Sequence, residues 1–291
     1  MSSLSLPGGT WRLGDSTVTR FGYGAMQLAG PWVMGPPADH DGALAVLREA
    51  VGLGITHIDT SDAYGPRVTN ELIREALHPY PESLVIATKV GAFRDAQGGW
   101  PTARTPEDLR KQIHANLETL GVERLDLVHM RMGDAQGPRP GSLAEAFGTL
   151  VELHKDGLIG RLGVSNVTAE QVAEAQSIAP IVSVQNMYNL AHRHDDALID
   201  RLAAENIAYV PFFPLGGFSP LQSEALTAVA ARRHSTPMAV ALAWLLRRSP
   251  NILLIPGTSK TAHLRENVAG AGLALAAGDV AELDRIAGTG V

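Results

Sequence analysis

Eight short apolar runs alternate with longer segments of helical periodicity along this chain of 291 residues. The runs are Gly22–Leu28, Thr56–Ser61, Leu84–Val90, Leu125–Arg131, Gly160–Ser165, Ile181–Asn186, Ala208–Phe213 and Ile252–Pro256. Strands that alternate with helices pair in parallel, and eight such units close into a barrel. The pattern therefore predicts an α/β fold of the (β/α)8 TIM-barrel class, with residues 1–291 in a single domain.

Local signals between the runs support this interpretation. Gly42–Leu53 carries apolar residues at helical spacing. Thr105, followed by proline and two acids, predicts a helix start, and Thr168–Gln171 has the pattern of a capping box. Residues Thr10–Thr19 predict a β-hairpin ahead of the first run, placed to close the bottom of the barrel.

An open, doubly wound sheet is the structural alternative. It would be favoured by a Gly-x-Gly-x-x-Gly turn between a strand and a helix, where a dinucleotide binds. Gly22-Tyr23-Gly24 lacks the third glycine, so the signal for that fold is weak.

Composition excludes several classes of protein. The 24 basic residues against 30 acidic ones give a net charge of −6, which argues against a nucleic-acid partner. The absence of cysteine excludes disulfides, a thiolate nucleophile and cysteine-bound metal. The first residues lack the pattern of a secretory signal, and no apolar run is long enough to cross a membrane. We therefore expect a cytoplasmic protein with no membrane partner.

Four candidate catalytic residues fall at or just beyond the ends of neighbouring strands: Asp59, Tyr64, Lys89 and Arg131. A free phenol has a pKa of about 10 and is a poor acid at neutral pH, but a nearby ammonium ion favours its ionised form. A carboxylate can hold that ammonium in place. Asp59, Tyr64 and Lys89 each have an ordinary structural explanation when taken alone, whereas their convergence predicts a phenol that protonates a carbonyl oxygen as hydride reaches the carbon.

Five motifs, taken in this order, are similar to those of the aldo-keto reductase family: Ile58–Gly65, Ala87–Gly91, Gly163–Asn166, Val184–Asn189 and Ile255–Thr258. The resemblance extends from the first strand to about Asn267. It implies a reductase of aldehydes and ketones that binds NADPH without a Rossmann fold. It also implies that Tyr64 is the general acid, that Lys89 tunes it and that Asp59 supports Lys89.

The same resemblance implies a set of cofactor-binding residues. Ser165, Asn166 and Gln185 would bind the nicotinamide carboxamide, and Phe212 would stack on its ring. The full set is Gly24, Ala25, Met26, Asp59, Ser165, Asn166, Gln185, Phe212, Pro214, Leu215, Gly216, Gly257, Thr258, Ser259, Lys260, His263, Glu266 and Asn267.

The residues after the eighth run suit a ribose 2′-phosphate, which favours NADPH over NADH. Hydroxyl groups and cations, from Thr258 to Lys260 and again at His263 and Arg265, surround a predicted helix start. By the resemblance, Glu266 and Asn267 would contact the adenine.

The chain departs from the family at one position. Most members carry a histidine five residues after the aspartate of the fourth strand, and counting from Asp126 leads to Arg131. His129 lies two residues earlier and is expected deeper in the barrel, as a hydrogen-bonded core histidine. We expect Arg131 to replace the usual histidine, with a role for His129 as the alternative. An arginine here resembles the branch of the family that reduces pyridoxal to pyridoxine.

Aromatic residues near the predicted mouth could form the walls of a pocket for a flat ring. The predicted substrate pocket consists of Trp32, Tyr64, Phe93, Trp100 and Arg131. Trp32 and Trp100 lie in loops rich in glycine and proline and could equally be packing anchors. The loop from Ala92 to Thr105 could act as a lid.

Other functional interpretations have less support. Asn189–Asp196 is the densest group of histidine and aspartate, but it lies away from the strand ends and offers no clear third ligand, so no metal site is predicted. A reductase of broad specificity is the alternative activity. An NADPH-sensing regulatory subunit is the alternative from a different class. The oligomeric state stays open.

Overall fold

A parallel sheet of seven strands forms the centre of the computed structural model, which describes residues 6–134, 137–214, 216 and 223–286. The strands pair in the order of the chain, each with the next. They are β3 (Tyr23–Gly24), β4 (His57–Asp59), β5 (Val85–Val90), β6 (Leu125–Arg131), β7 (Ile159–Ser165), β8 (Ser183–Met187) and β9 (Ala208–Phe212).

The segment around Leu253 closes this sheet between its two edge strands. Ile252 forms a parallel bridge with Tyr209 of β9, and Leu254 forms one with Phe21, just ahead of β3. The Leu253 amide donates to the Tyr209 carbonyl at 2.9 Å. The predicted eighth strand is therefore present as a bridging segment, and the expected (β/α)8 barrel is confirmed.

One predicted strand is much shorter than expected. Within Gly22–Leu28 only Tyr23 and Gly24 pair as a strand, while Ala25–Leu28 forms a 3-10 helix. A Cβ atom on Gly24 would lie 2.3 Å from the Ile255 carbonyl oxygen, so the chain approaches the closing segment too closely for any side chain. Beyond that contact the backbone turns inward and buries Ala25 and Leu28.

Ten α-helices surround the sheet in the described part of the chain: α1 (His40–Gly52), α2 (Val68–Leu77), α3 (Pro106–Leu120), α4 (Ala144–Lys155), α5 (Ala169–Ile178), α6 (Asp196–Ala204), α7 (Glu224–Arg232), α8 (Pro237–Arg248), α9 (Thr261–Ala271) and α10 (Ala277–Leu283). The predicted helix starts are confirmed. The Thr105 hydroxyl accepts from the Asp108 amide, and Thr168 with Gln171 forms a reciprocal capping box.

The predicted hairpin is formed by β1 (Thr10–Leu13) and β2 (Ser16–Thr19). Leu13 and Val18 are fully buried, in one apolar cluster with residues that begin barrel strands, such as Val85 and Ala208. The hairpin therefore seals the end of the barrel where the strands start, and leaves the opposite end open for a site.

Candidate active site

The carboxyl ends of consecutive strands bring polar side chains to one mouth. Asp59 ends β4, Lys89 is the fifth residue of β5, Arg131 ends β6 and Ser165 ends β7. In the sheet register Arg131 lies beside Ser165, and Ser165 lies beside Gln185 of β8. The open end of the barrel thus holds most of the residues that the sequence motifs singled out.

A buried ion pair lies at the centre of this mouth. Lys89 Nζ donates to Asp59 Oδ1 at 2.5 Å and to the Thr60 carbonyl at 3.0 Å. Asp59 is 3% exposed and Lys89 is 9% exposed. Burial opposes the charge of Lys89, but the Asp59 carboxylate and the Tyr64 hydroxyl raise the pKa of Lys89 above its usual value. The structure therefore fixes an ammonium ion in a site largely closed to solvent.

The Tyr64 side chain lies against this ammonium ion. The centroid of its ring is 5.2 Å from Lys89 Nζ, and Tyr64 itself is buried. The turn after β4 holds it in place, because the Tyr64 amide donates to the Ser61 carbonyl and the Thr69 amide donates to the Tyr64 carbonyl. Asp59, Tyr64 and Lys89 are thus brought together as the motifs indicate, in an arrangement suited to transferring a proton from the phenol.

Two side-chain amides, those of Gln185 and Asn166, lie near the other carboxylate oxygen of Asp59. Gln185 Nε2 donates to Asp59 Oδ2 at 2.8 Å. Gln185 Oε1 and Asn166 Oδ1 are buried and have no hydrogen-bond partner among the described residues. The two residues are adjacent, since the Asn166 amide donates to the Gln185 carbonyl at 2.8 Å. Two unpaired acceptors next to the ion pair fit the amide nitrogen of a nicotinamide carboxamide.

Arg131 and His129 occupy different depths of the barrel. His129 is fully buried, its Nε2 lies 3.0 Å from the Ser183 hydroxyl, and burial lowers its pKa to about 3. Arg131 is half-buried, and its guanidinium carbon lies 5.4 Å from the centroid of the Trp100 ring. The expectation of a hydrogen-bonded core histidine is confirmed, and Arg131 is the residue that reaches the mouth.

The predicted aromatic pocket is only partly assembled. The rings of Tyr64 and Trp100 meet edge to face at 6.2 Å, and Trp100 lines a small cavity together with Lys89 and Arg131. Trp32 is 82% exposed and Phe93 is 46% exposed. Trp100 therefore belongs to the wall of the site, whereas Trp32 and Phe93 lie at its rim.

Sequence reasoning missed two arginines of the loop that carries Trp100. Arg94 lies 4.3 Å from the centroid of the Trp100 ring and donates to the carbonyls of Trp32 and Gly98. Arg104 donates to the Gly133 carbonyl. The available signal was four cationic or aromatic side chains within the loop from Ala92 to Thr105, of which only Phe93 and Trp100 were predicted at the site.

The cofactor-binding residues predicted at the end of β9 and just beyond it are partly described. Phe212 is half-buried at the end of β9 and meets Phe213 edge to face at 5.3 Å. Pro214 and Gly216 follow at the mouth side of β9. Leu215, another residue of the predicted cofactor-binding set, lies outside the described residues.

The first and last strands approach each other closely at the mouth. A Cβ atom on Gly257 would lie 2.6 Å from the Gly24 carbonyl oxygen, and the Tyr23 hydroxyl donates to the Thr258 carbonyl at 2.6 Å. Ala25 is buried in the 3-10 helix that follows Gly24, and Met26 is half-buried. Both glycines thus have a packing reason in addition to the role that the family resemblance implies.

Beyond this contact the chain enters α9. Lys260 is the residue at the N-cap position, and Ser259, Lys260, His263 and Glu266 are exposed while Asn267 is buried. Arg265 differs from the expected cluster of free cations, because its Nε donates to Glu49 of α1. The exposed hydroxyl and cationic groups nevertheless surround the start of a helix, which suits an anion.

The Asn189–Asp196 segment has structural partners. Asp195 Oδ2 accepts from Asn186 Nδ2 at 2.7 Å and from the Tyr209 hydroxyl at 2.8 Å. Asp196 accepts from Tyr188 and from arginine side chains. The part of the chain that the structure describes contains no cluster of three potential metal ligands. It also contains no helix with the length and apolar character needed to cross a membrane.

Comparison with known proteins agrees with the resemblance found in the motifs. Residues 20–287 match the model of the Aldo/keto reductase family. The chain is 57% identical over 279 residues to pyridoxine 4-dehydrogenase of Escherichia coli, which covers 95% of this chain and 98% of that protein.

Two solved structures share the architecture. A thermostable aldo-keto reductase in complex with epalrestat superposes with a TM-score of 0.80 at 29% identity, covering 95% of this chain and 99% of that one. An aldo-keto reductase from Klebsiella pneumoniae in complex with NADPH superposes with a TM-score of 0.78 at 25% identity, covering 95% and 94%. At the level of the family, the expected cofactor is therefore confirmed.

Proposed function

Because this chain belongs to the aldo/keto reductase family, we propose that it reduces pyridoxal to pyridoxine at the expense of NADPH. The observation that carries the proposal is the Tyr64 phenol held against the buried ammonium ion of Lys89. The identity of 57% to a pyridoxine 4-dehydrogenase supports the choice of substrate. So does Arg131, which lies at the mouth where most family members carry a histidine.

The reaction adds a hydride to the aldehyde carbon and a proton to its oxygen. When bound, NADPH supplies the hydride. Tyr64 gives its hydroxyl proton to the carbonyl oxygen, and the ammonium ion of Lys89 stabilises the phenolate that remains. Asp59 fixes Lys89 through the 2.5 Å contact and does not itself transfer a proton. Arg131 binds an oxygen of the substrate and stays charged throughout.

The cofactor would lie across the mouth from Gln185 to α9. The unpaired acceptors of Asn166 and Gln185 would bind its carboxamide, next to Ser165, with the Phe212 ring over the nicotinamide. By the family resemblance, Pro214, Leu215 and Gly216 would pass over the pyrophosphate, and Gly24, Ala25 and Met26 would line the cofactor near the first strand. The 2′-phosphate and adenine would lie against Gly257, Thr258, Ser259, Lys260, His263, Glu266 and Asn267.

We also propose that the protein works in the cytoplasm on a small-molecule substrate and has no nucleic-acid partner. The net charge of −6 supports the last point, since a polyanion would be repelled overall. The proposal also includes two further points: residues 1–291 form one domain, and the reductase binds no metal.

The first experiment follows NADPH oxidation with pyridoxal, pyridoxal phosphate and nitrobenzaldehyde in parallel. We expect the highest kcat/KM with pyridoxal. Faster turnover of nitrobenzaldehyde would make the protein a reductase of broad specificity. Tight NADPH binding with no turnover of any aldehyde would instead favour a sensor of the cofactor.

The matching variant is Tyr64→Phe, which removes the proton donor but keeps the ring. We expect kcat to fall by about 100-fold or more, the usual contribution of a positioned general acid, while the NADPH affinity changes little. An unchanged kcat would contradict the role of Tyr64.

A further inference from the structure

Three arginine side chains gather on the Tyr64 side of the mouth. The guanidinium carbons of Arg94 and Arg131 lie 4.3 and 5.4 Å from the centroid of the Trp100 ring. Arg104 comes from the same loop as Trp100, and its Nη2 donates to the Gly133 carbonyl, two residues beyond Arg131, at 3.4 Å. These three arginines and Trp100 are called the arginine cluster below.

The described residues form no ion pair with an arginine of the cluster, although the charges of Asp95 and Asp134 act to raise the pKa values of Arg94 and Arg104. Arg94 is 8% exposed, and its terminal nitrogens donate to backbone carbonyls. The Nε atoms of Arg94 and Arg104 are buried without a hydrogen-bond partner among the described residues. Burial lowers the pKa of Arg94 and of Arg104, and the charge of Arg131 lowers the pKa of Arg104 further.

The nearest acids, Asp95 and Asp134, offset part of the positive charge and accept hydrogen bonds from other groups. Asp95 Oδ1 accepts from the backbone amides of Gln97 and Gly99. Asp134 Oδ2 accepts from Arg139 Nε at 2.8 Å. A buried cation that lacks a carboxylate partner lowers the stability of the fold. The chain has more acidic than basic residues, so the absence of such a partner here is not due to a shortage of acids. The charge that remains at the mouth, that of Arg131 above all, is therefore suited to an anionic group of a ligand.

The position of the cluster distinguishes between ligands. The phosphates of NADPH are assigned to the opposite side, near Lys260 and α9. The arginine cluster lies beside Tyr64, where the aldehyde must be held, and Arg131 lines the same small cavity as Lys89 and Trp100. The anionic group must therefore belong to the substrate and lie close to its reacting carbonyl.

We propose that Arg131 and Arg104 form an anion subsite that selects aryl aldehydes with an ionised hydroxyl group ortho to the aldehyde. The proposal rests on the reductase function given above and adds the substrate class. The two ortho oxygens lie within about 3 Å of each other, so the planar donors of one guanidinium can bind both. Trp100 fixes the Arg131 guanidinium, and Arg94 is a positioning residue that holds the Trp100 loop through the Trp32 and Gly98 carbonyls.

The test compares 2-hydroxybenzaldehyde with 2-methoxybenzaldehyde, which has a similar shape but no ionisable hydroxyl. We expect the wild-type protein with NADPH to prefer the hydroxy compound. Arg104→Gln should lower kcat/KM for it by about tenfold, mostly through KM, and lower kcat/KM for the methoxy compound by less than about twofold. Arg110→Gln changes a partly exposed arginine of α3 that pairs with Glu152; it is the matched control and should change neither value.

Several outcomes would overturn the subsite. The first is an equal loss of kcat/KM with both aldehydes in the Arg104 variant. The second is a lower NADPH affinity of that variant. The third is a wild-type preference for pyridoxal phosphate over pyridoxal that Arg104→Gln removes. The last would mean that the cluster binds a phosphate. If Arg104→Gln does not give the wild-type circular dichroism spectrum, Arg104→Met, which keeps the apolar stem, carries the same expectation. Wild-type turnover of both aldehydes without a preference would defeat this inference alone, whereas no turnover of any aldehyde would defeat the proposed function.

Discussion

His57 and His129 are buried beside the Asp59–Lys89 ion pair, and their chemistry predicts how stability depends on pH. Burial lowers the pKa of His57 to about 4 and that of His129 to about 3. In the unfolded chain a histidine has a pKa of about 6.5. Below that pH the unfolded state binds protons that the folded state does not, so the stability falls as the pH decreases.

We therefore expect the free energy of unfolding to be lower at pH 5.0 than at pH 7.5, with each histidine contributing about 2 kcal/mol to the difference. The measurement is urea denaturation at the two pH values. His129→Gln should reduce the difference by about 2 kcal/mol, and the exposed His114→Gln should leave it unchanged. Asp62 works in the opposite direction, because burial raises its pKa to about 6 and its protonation stabilises the folded state as the pH falls. A difference that His129→Gln does not alter would contradict the buried neutral histidine.

At the scale of elements, a buried polar network fixes the strand ends that carry Asp59 and Lys89. The Thr60 hydroxyl donates to Asn70 Oδ1 of α2 at 2.8 Å, and Asn70 Nδ2 donates to Asn116 Oδ1 of α3 at 3.0 Å. The Thr88 hydroxyl donates to the same Asn116 oxygen at 2.6 Å. Two helices are thus tied to two strands by side chains that are fully buried.

Removal of the shared acceptor should be costly. Asn116→Ala leaves the Thr88 hydroxyl without a partner among the described residues and the Asn70 amide with the Thr119 hydroxyl alone, so we expect the free energy of unfolding to fall by about 2 kcal/mol. Lys111→Ala, at an exposed position of the same helix, should change it by about 0.5 kcal/mol or less. The measurement is denaturation of both variants in urea. Similar values for the two would show that the network contributes little to stability.

The network also shows where prediction from the sequence ends. Features that depend on residues close together in the sequence could be predicted. They include the strand positions, the helix caps and the motifs that contain Asp59, Tyr64 and Lys89. Asn70 and Asn116 are 46 positions apart, and a polar residue within a helix usually indicates its solvent face. The short β3 strand was missed for a similar reason, because the contact that ends it is made with the distant Ile255. The position of the Arg94 side chain likewise depends on a hydrogen bond to the Trp32 carbonyl, 62 positions earlier in the chain.

At the scale of the whole molecule, the barrel leaves unpaired acceptors at the mouth, where β7 ends and β8 passes beside it. Asn166 Oδ1 and Gln185 Oε1 are buried without a partner among the described residues, which is unfavourable in the free protein. A ligand that binds the folded chain alone also stabilises it by mass action. NADPH at 100 times its dissociation constant should therefore raise the free energy of unfolding by about 2.7 kcal/mol.

The stabilisation of the protein by bound nucleotide also tests the choice between NADPH and NADH. Lys260 lies at the start of α9, where a cation and the helix terminus favour a phosphate group. Lys260→Ala should reduce the rise in Tm that a fixed NADPH concentration produces and leave the smaller rise with NADH nearly unchanged. The comparison is made by thermal denaturation of both proteins with each nucleotide. If Lys260→Ala reduced the rise in Tm equally with NADPH and with NADH, Lys260 would not bind the 2′-phosphate, because only that phosphate distinguishes the two ligands.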